Sequence, residues 1–363
     1  MPTKAKKTLA LFLPVCVVAF FIYGFVVYNG RICARILEAG KKGQAISYII
    51  VFNVLFLLAL YCFVRTALRE PGHPRRPPRS RLQRHMNPDL SSSPLTCQTT
   101  GGSHSSLLPA IPSVDVSMPT LRVCKRDGQS RFCTICQCFK PDRCHHCSEC
   151  EQCVLKMDHH CPWINGCIGF GNYKLFVLFI LYTAILCVFT VATTAVEVAQ
   201  DFEQTGEMNV LVILLCLLAG IFALLLTGFT AMHLTYTLIN KTTIEALAEN
   251  QPIYLHVAAT SFSYTIATSG VVGLWDLGRK LNWVSVMGRP CWLWFVPVAN
   301  SIGDGMSFPY NPEVFRWALT EAERKSRERS VTVAEEIESP EGRGFRPDGG
   351  EESEPEDEYT RVY

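Results

Sequence analysis

Apolar and polar positions along this chain fall into long blocks rather than short alternations. Four blocks, Leu9–Tyr28, Ala45–Val64, Leu175–Val196 and Val210–Met232, contain no Lys, Arg, Asp or Glu. At 1.5 Å of rise per residue, each can cross about 30 Å of hydrocarbon as a helix. Each is therefore predicted to span a membrane, and Pro14 and Gly24 in the first are tolerated there. That first block lacks a short apolar core with a small-residue cleavage site, so it reads as a retained anchor rather than a signal peptide.

The polar stretches divide the rest. Residues 1–70 hold the first two helices, and 175–240 hold the third and fourth. Between them, residues 71–120 are rich in Pro, Ser and Arg without apolar period, which predicts a flexible linker. Residues 121–174 form a small ordered unit with few aliphatic side chains. A segment at 241–328 follows the last span and ends in a short predicted helix at 311–329, with Asn311 as its cap and Pro312 in its first turn. From Arg329 onward the chain is acidic and nearly free of aliphatic residues, so 329–363 is expected to be disordered.

Composition changes this picture only locally. The hydrophobic fraction is 48% and the formal net charge +2, so no polyanionic partner such as nucleic acid is implied. An even number of spans puts both termini on one side. Arg65, Arg69, Arg75, Arg76, Arg79, Arg81 and Arg84 after the second span, with Lys4, Lys6 and Lys7, mark that side as cytosolic. The loop from Gln200 to Met208 has acids and no base, as a lumenal turn should. Arg31, Arg35, Lys41 and Lys42 run against this assignment, because residues 29–44 fall on the lumenal side.

The informative chemistry lies in 121–174. Of the 17 cysteines, Cys133, Cys136, Cys138, Cys144, Cys147, Cys150, Cys153, Cys161 and Cys167 fall there, with His145, His146, His159 and His160. The pairs Cys133-x2-Cys136 and Cys147-x2-Cys150, each followed by a histidine and another cysteine, have the spacing of zinc sites. A disulfide knot would need an oxidising compartment, whereas thiols at metal spacing belong on a reducing face. Metal coordination would supply the stability that a small apolar core cannot. The predicted fold class is thus an all-α polytopic membrane protein, four transmembrane helices with a small cytosolic zinc-bound domain between the second and third.

From Cys133 to Phe176 the chain reads C-x2-C-x9-H-C-x2-C-x2-C-x4-D-H-H-C-x5-C-x4-N-x3-F without departure. This stretch resembles the cysteine-rich domain of the DHHC-type protein S-acyltransferases. Asn240-Lys241-Thr242-Thr243-Ile244-Glu245 matches the Thr-Thr-x-Glu motif that family carries past its last helix, and Asn282 to Gly288 resembles its C-terminal segment. Arg69-Glu70-Pro71-Gly72 is similar to its Asp-Pro-Gly motif, with Glu70 in place of Asp. Trp292, Trp294 and Phe295 beyond suit either packing or a membrane interface.

The resemblance implies two structural zinc ions, one on Cys133, Cys136, His146 and Cys153, the other on Cys147, Cys150, His160 and Cys167. Cys138 and Cys144 stand outside both sets as bystanders. Asp158, His159 and Cys161 are then left for catalysis. A free thiol is mostly protonated near neutral pH and needs a base. His159 can serve as that base, with Asp158 fixing its tautomer. By resemblance, Thr243 holds the Asp158 carboxylate, while Thr242 and Glu245 have the spacing of a capping box. The implied activity is transfer of a long-chain acyl group, palmitoyl above all, from acyl-coenzyme A to Cys161 and then to cysteines of membrane-associated proteins. Trp163 is placed at the head of an acyl cavity among the four helices. Leu186, about 21 Å along the third helix from Asn172, falls either near its far end or on a lipid-facing or helix-packing surface. The family points to an endomembrane such as Golgi, endoplasmic reticulum or vacuole. A non-catalytic zinc recruitment module would not need His159 or Cys161, and a transporter would be expected to carry charge within its spans.

Overall fold

The computed structural model describes residues 4–75, 119–206, 209–259, 262–268 and 273–338. Helix α1 (Lys4–Val27) continues through a π-helical turn (Tyr28–Cys33) into α2 (Ala34–Glu38), and α3 (Lys42–Leu68) returns. Helices α4 (Tyr173–Thr205) and α5 (Val210–Leu238) form the second pair. These are four helical stretches long and apolar enough to cross a membrane, each running several residues past its uncharged block. Local chemistry sets their ends. Gly206 closes α4 in the left-handed region at φ 68°, where a residue without Cβ is unstrained. The Asn209 side chain opens α5 by accepting from the amides of Leu211 (3.0 Å) and Val212 (3.4 Å).

Helix α4 is the hub. Over half of its apolar window is buried, 56% against 11–28% in the other three spans, because α3 and α5 flank it and the cysteine-rich unit sits on its first turns. Tyr173, Phe176, Val177 and Ile180 of α4 share one buried cluster with Ala59 and Phe63 of α3, and with Cys161, Ile164 and Ile168 of that unit.

The unit holds strands as well as turns, which corrects the all-α expectation. Three antiparallel hairpins follow one another: β2 (Phe132–Cys133) with β3 (Cys138–Phe139), β4 (His145–Cys147) with β5 (Gln152–Val154), and β6 (His159–Cys161) with β7 (Gly166–Ile168). Strands of two or three residues are too short to leave an alternating pattern. A three-stranded antiparallel sheet in the order β1 (Thr120–Cys124), β8 (Ile253–Ala258), β9 (Ser263–Thr268) joins the front of the unit to the segment after the last span. Leu255, Val257 and Ile266 of this sheet pack on Val314, Ala318 and Ala322 of the C-terminal helix. The shorter helices are α6 (Thr243–Leu247), α7 (Arg279–Met287) and α8 (Pro312–Glu338). Helix α8 runs nine residues past the predicted stop at 329, so the expected disordered tail begins too early. Ahead of that stop, the exposed Arg324 pairs with Glu321 and Glu328 at helical spacing. The rest of the tail and most of the 71–120 linker lie outside the described residues.

The two ends of that linker are built in. Residues 69–72 bond to the cysteine-rich unit through backbone: Leu155 N–H to Gly72 O (3.0 Å) and Gly171 N–H to Pro71 O (2.8 Å). A Cβ on Gly171 would overlap the Glu70 carbonyl, so the contact needs glycine there and uses Glu70 through its main chain. The segment after α7 lies along α4. Lys174, only 1% exposed, donates to Met287 O (3.1 Å), Leu293 O (2.8 Å) and Asn300 Oδ1 (2.7 Å), and Tyr182 donates to Phe295 O. Trp292 and Phe295 stay exposed beside the span, and Trp294 donates to Gly288 O (2.9 Å).

Buried Arg143 ties the two halves. It forms a bidentate pair with Glu245 (2.6 and 2.7 Å) and donates to Asn240 Oδ1 (2.9 Å) and O (2.8 Å). Its guanidinium lies 5.4 Å from the Trp275 ring centre and 5.2 Å from that of Phe308. Removing one partner of such a pair leaves a buried charge alone, so Arg143→Ala should destabilise the chain by about 3–5 kcal/mol. Thermal unfolding in detergent measures this, with Arg324→Ala on the exposed part of α8 as the comparison that leaves the midpoint in place.

Candidate active site and metal centres

The three hairpins repeat with a period of 14 residues. Cys133, Cys147 and Cys161 occupy the same place, and so do Gln137, Glu151 and Asn165, whose φ values are 54°, 52° and 55°. In the first two copies the turn is a metal knuckle: the amides of Cys136 and Cys150 donate to Sγ of Cys133 and Cys147, each at 3.4 Å. Each knuckle takes its remaining donors from the next hairpin. Cys133 and Cys136 meet His146 and Cys153, while Cys147 and Cys150 meet His160 and Cys167, with the donor atoms of each set within 4.8 Å of one another.

These donor sets fit zinc. Bonds of about 2.3 Å to sulfur and 2.0–2.1 Å to nitrogen in a tetrahedron put S and N about 3.6 Å apart. Observed Sγ···Nδ1 separations are 3.6, 3.3 and 3.9 Å around His146, and 3.6, 3.3 and 3.8 Å around His160. No disulfide forms among the described residues. Three thiols and one imidazole per site leave no open position, the character of a structural ion.

The third copy cannot close in this way. Ile164 stands where Cys136 and Cys150 stand in the others, and no fourth hairpin follows, so Cys161 is a knuckle cysteine without a metal set. Strand alternation gives it other company. In β6, His159 and Cys161 project to one face and His160 to the other, so the adjacent histidines part company, one toward Cys161 and one toward the second metal set. Asp158, 1% exposed, accepts from Thr243 N–H at Oδ1 (3.0 Å) and from the Thr243 hydroxyl at Oδ2 (2.8 Å). His159 Nδ1 lies 2.6 Å from Asp158 Oδ2. Thr242 and Glu245 complete a reciprocal capping box that fixes Thr243 in the first turn of α6.

The electrostatics follow from this. Burial works against charge on His159, but the Asp158 carboxylate and the Cys161 sulfur outweigh it and push the imidazole up to about 9. Burial also raises Asp158, yet the hydrogen bonds from His159 and Thr243 hold it below its ordinary value. The group can therefore keep a proton on His159 and a charge on Asp158 next to a nearly buried sulfur.

Cys161, His159, Pro162 and Trp163 line the head of an apolar cavity of about 600 Å³ that runs among the four spans. Trp163 is half exposed at its mouth. Leu186 lies on its wall, one turn short of Thr190, which also lines it. Beyond, Phe52 stacks on Tyr28 at 4.0 Å, and the Tyr28 and Thr193 hydroxyls share a buried hydrogen bond of 2.9 Å.

Every residue assigned to metal or catalysis from the sequence falls in these clusters or on this cavity. Sequence reasoning missed their supports. Besides Arg143 and Lys174, these include Asn172, which donates to Cys167 O (3.0 Å) and Thr66 O (3.3 Å). They also include His233 of α5, whose ring lies 5.9 Å from that of His159 and whose Nδ1 is 3.2 Å from the Tyr173 hydroxyl. The 14-residue period was visible in the sequence and would have singled out Cys161 as the unpaired copy.

Fold and site thus define a membrane protein that presents a thiol, backed by an imidazole and a carboxylate, at the head of an apolar cavity. The family model for DHHC palmitoyltransferase matches residues 126–250. Palmitoyltransferase ZDHHC2 of Danio rerio is 31% identical over 297 residues, covering 81% of this chain and 74% of that protein. Palmitoyltransferase PFA3 of Debaryomyces hansenii is 30% identical over 336 residues, covering 83% and 82%, and palmitoyltransferase ZDHHC15 of Xenopus laevis 29% over 305 residues, covering 82% and 81%. The chain belongs to the DHHC palmitoyltransferase family, enzymes of protein S-palmitoylation.

Substitution of the two neighbouring histidines should separate their roles. His159→Ala should keep two metal ions per chain and lower the acylation rate by about 10²–10⁴-fold. His160→Ala should lose metal and become protease-sensitive. Metal analysis and limited proteolysis on both variants decide, and equal metal content would undo the division.

Proposed function

We propose that Cys161 is the nucleophile that takes a long-chain acyl group from acyl-coenzyme A and passes it to a cysteine of a membrane-associated protein. The observation that carries this reading is the placement of His159 and Cys161 on one face of β6, at the head of an apolar cavity with room for a hydrocarbon chain.

In the first transfer, His159 already holds the proton that Cys161 has given up. The sulfur attacks the thioester carbonyl, the carbon–sulfur bond to coenzyme A breaks, and the departing thiolate receives the proton from His159. In the second, the incoming protein thiol gives its proton to His159 and attacks the acyl-enzyme, and Cys161 leaves as a thiolate. Asp158 holds Nδ1 of His159 so that the other ring nitrogen faces sulfur, and stabilises the imidazolium. Thr243 fixes Asp158, a role outside the reacting atoms that can nonetheless cost rate when lost. The acyl tail would lie along α4 past Leu186, with Trp163 at the mouth. Zinc, held by Cys133, Cys136, His146 and Cys153 and by Cys147, Cys150, His160 and Cys167, would supply structure only.

The orientation that fits this chemistry puts Cys161 and both termini in the cytosol. Two of the four basic residues that run against this assignment are engaged by the end of α4: Arg35 bridges Asp201, and Lys41 donates to Gln200 (3.2 Å). These two loops thus meet at one end of the bundle, while Arg69, bonded to Gly171 O (2.6 Å), lies at the Cys161 end. An endomembrane location rests on the family alone.

Cys161→Ser should remove self-acylation by labelled palmitoyl-coenzyme A while leaving two metal ions bound. Loss of about one ion instead would make Cys161 a ligand and sink the mechanism. In sealed microsomes of native topology, added protease should cut the 71–120 linker. Its protection would invert the orientation.

A further inference from the structure

We infer that the small polar cavity beside Asp158 binds one water molecule, through which Tyr173 and His233 act as positioning residues for acyl transfer. The inference rests on reading Asp158, His159 and Cys161 as the catalytic group. The cavity has a volume of about 10 Å³ and is walled by Lys156, Asp158, Tyr173, Thr237, Asn240 and Thr242 among others. It shares no lining residue with the acyl cavity. A space of that size takes one water when two to four polar groups surround it.

Three of the surrounding groups have a bond to give. Asp158 Oδ2 accepts from the Thr243 hydroxyl and lies 2.6 Å from His159 Nδ1. Among the described residues, Oδ1 has only the Thr243 N–H (3.0 Å). A carboxylate oxygen can accept twice, so Oδ1 has a bond to spare. Lys156 Nζ donates to Asn240 Oδ1 (3.0 Å) and keeps further hydrogens. The Tyr173 hydroxyl lies 3.2 Å from His233 Nδ1. Whichever of the two donates, the hydroxyl has another bond to make, and the water supplies it.

The bond to Tyr173 also accounts for His233. This residue is 1% exposed, and its Nε2 has no hydrogen-bond partner among the described residues. Its ring meets those of Phe229 at 4.5 Å and Phe176 at 5.2 Å, both edge to face. Phenylalanine would suit such surroundings without burying an unpaired nitrogen. What an imidazole adds there is Nδ1 on the Tyr173 hydroxyl. The contacts therefore run from His233 to Tyr173, through the water to Asp158, and from Asp158 to His159. Neither Tyr173 nor His233 lines the acyl cavity, so both reach the reaction through Asp158 rather than through the acyl donor.

The test uses the full chain in detergent. Self-acylation is followed as a single turnover against palmitoyl-coenzyme A concentration, giving a maximal rate and a half-saturating concentration. Wild type against Cys161→Ser checks the catalytic reading by itself. Tyr173→Phe should lower the maximal rate about tenfold, leave half-saturation in place and keep two metal ions. His233→Phe should match it. His233→Asn, which keeps an amide where Nδ1 stands, should recover most of the rate. Tyr173→Phe with His233→Phe should be no slower than Tyr173→Phe alone, because both act along one path. A crystal structure that resolves ordered water should show it bonded to Asp158 Oδ1 and the Tyr173 hydroxyl. Should His233→Phe fail to fold, the rate and half-saturation of Tyr173→Phe give the reading. An unchanged rate in Tyr173→Phe, a shifted half-saturation, lost metal, multiplied losses in the double variant, His233→Asn no faster than His233→Phe, or a dry cavity would overturn the inference.

Discussion

Coordination by donors taken from successive hairpins is the constraint on which the rest of the molecule depends. The cysteine-rich unit has strands of two or three residues and few aliphatic side chains, so neither sheet nor core can hold it. Each metal set closes only when a knuckle meets the histidine and cysteine of the following hairpin. The arrangement has a direction. The first set binds hairpin one to hairpin two, and the second binds hairpin two to hairpin three, which carries Cys161. Loss of the first ion leaves the hairpin of Cys161 still fastened. Loss of the second frees it directly.

A second constraint follows from the period of a strand. In three consecutive residues, His159 and Cys161 share one face and His160 takes the other, so the metal ligand and the proposed base are neighbours that cannot exchange roles without turning the strand over. The Asp158 carboxylate accepts two hydrogen bonds from Thr243, which opens α6 just past the last span. Arg143, pairing with Glu245 in the same short helix, holds that helix against the hairpins. The last span and the cysteine-rich unit are in this way bound by hydrogen bonds between elements some 85–100 positions apart in sequence.

How much of this was legible depends on the kind of signal. The four spans were readable because an uncharged run of twenty residues has few other interpretations, although their ends were not: α4 runs to Thr205 and α5 to Leu238 because caps, not hydropathy, stop them. Both metal-capable sets, and the trio of Asp158, His159 and Cys161 that the fold places together, were legible from the fixed spacing of Cys133 to Phe176. The hairpins were not, since three-residue strands carry no period. The sheet of β1, β8 and β9 was hidden for another reason: its first strand lies over a hundred residues before its partners. Nothing in the sequence sets Lys174 and Arg143 apart from the other cations. Only the fold shows that each is buried and fully matched by carbonyls, amides or a carboxylate.

The cavity has a kinetic consequence. Cys161 is 5% exposed and its cavity is lined almost wholly by hydrocarbon and aromatic side chains. An acyl thioester formed there would have its tail in an oily slot and its carbonyl beside the nearly buried sulfur of Cys161. Such an intermediate can outlast the departure of coenzyme A, so loading and delivery become separate events. The protein could then wait in a charged state, and the frequency of modification would be governed by encounters within the plane of the membrane rather than by the supply of donor at each turnover.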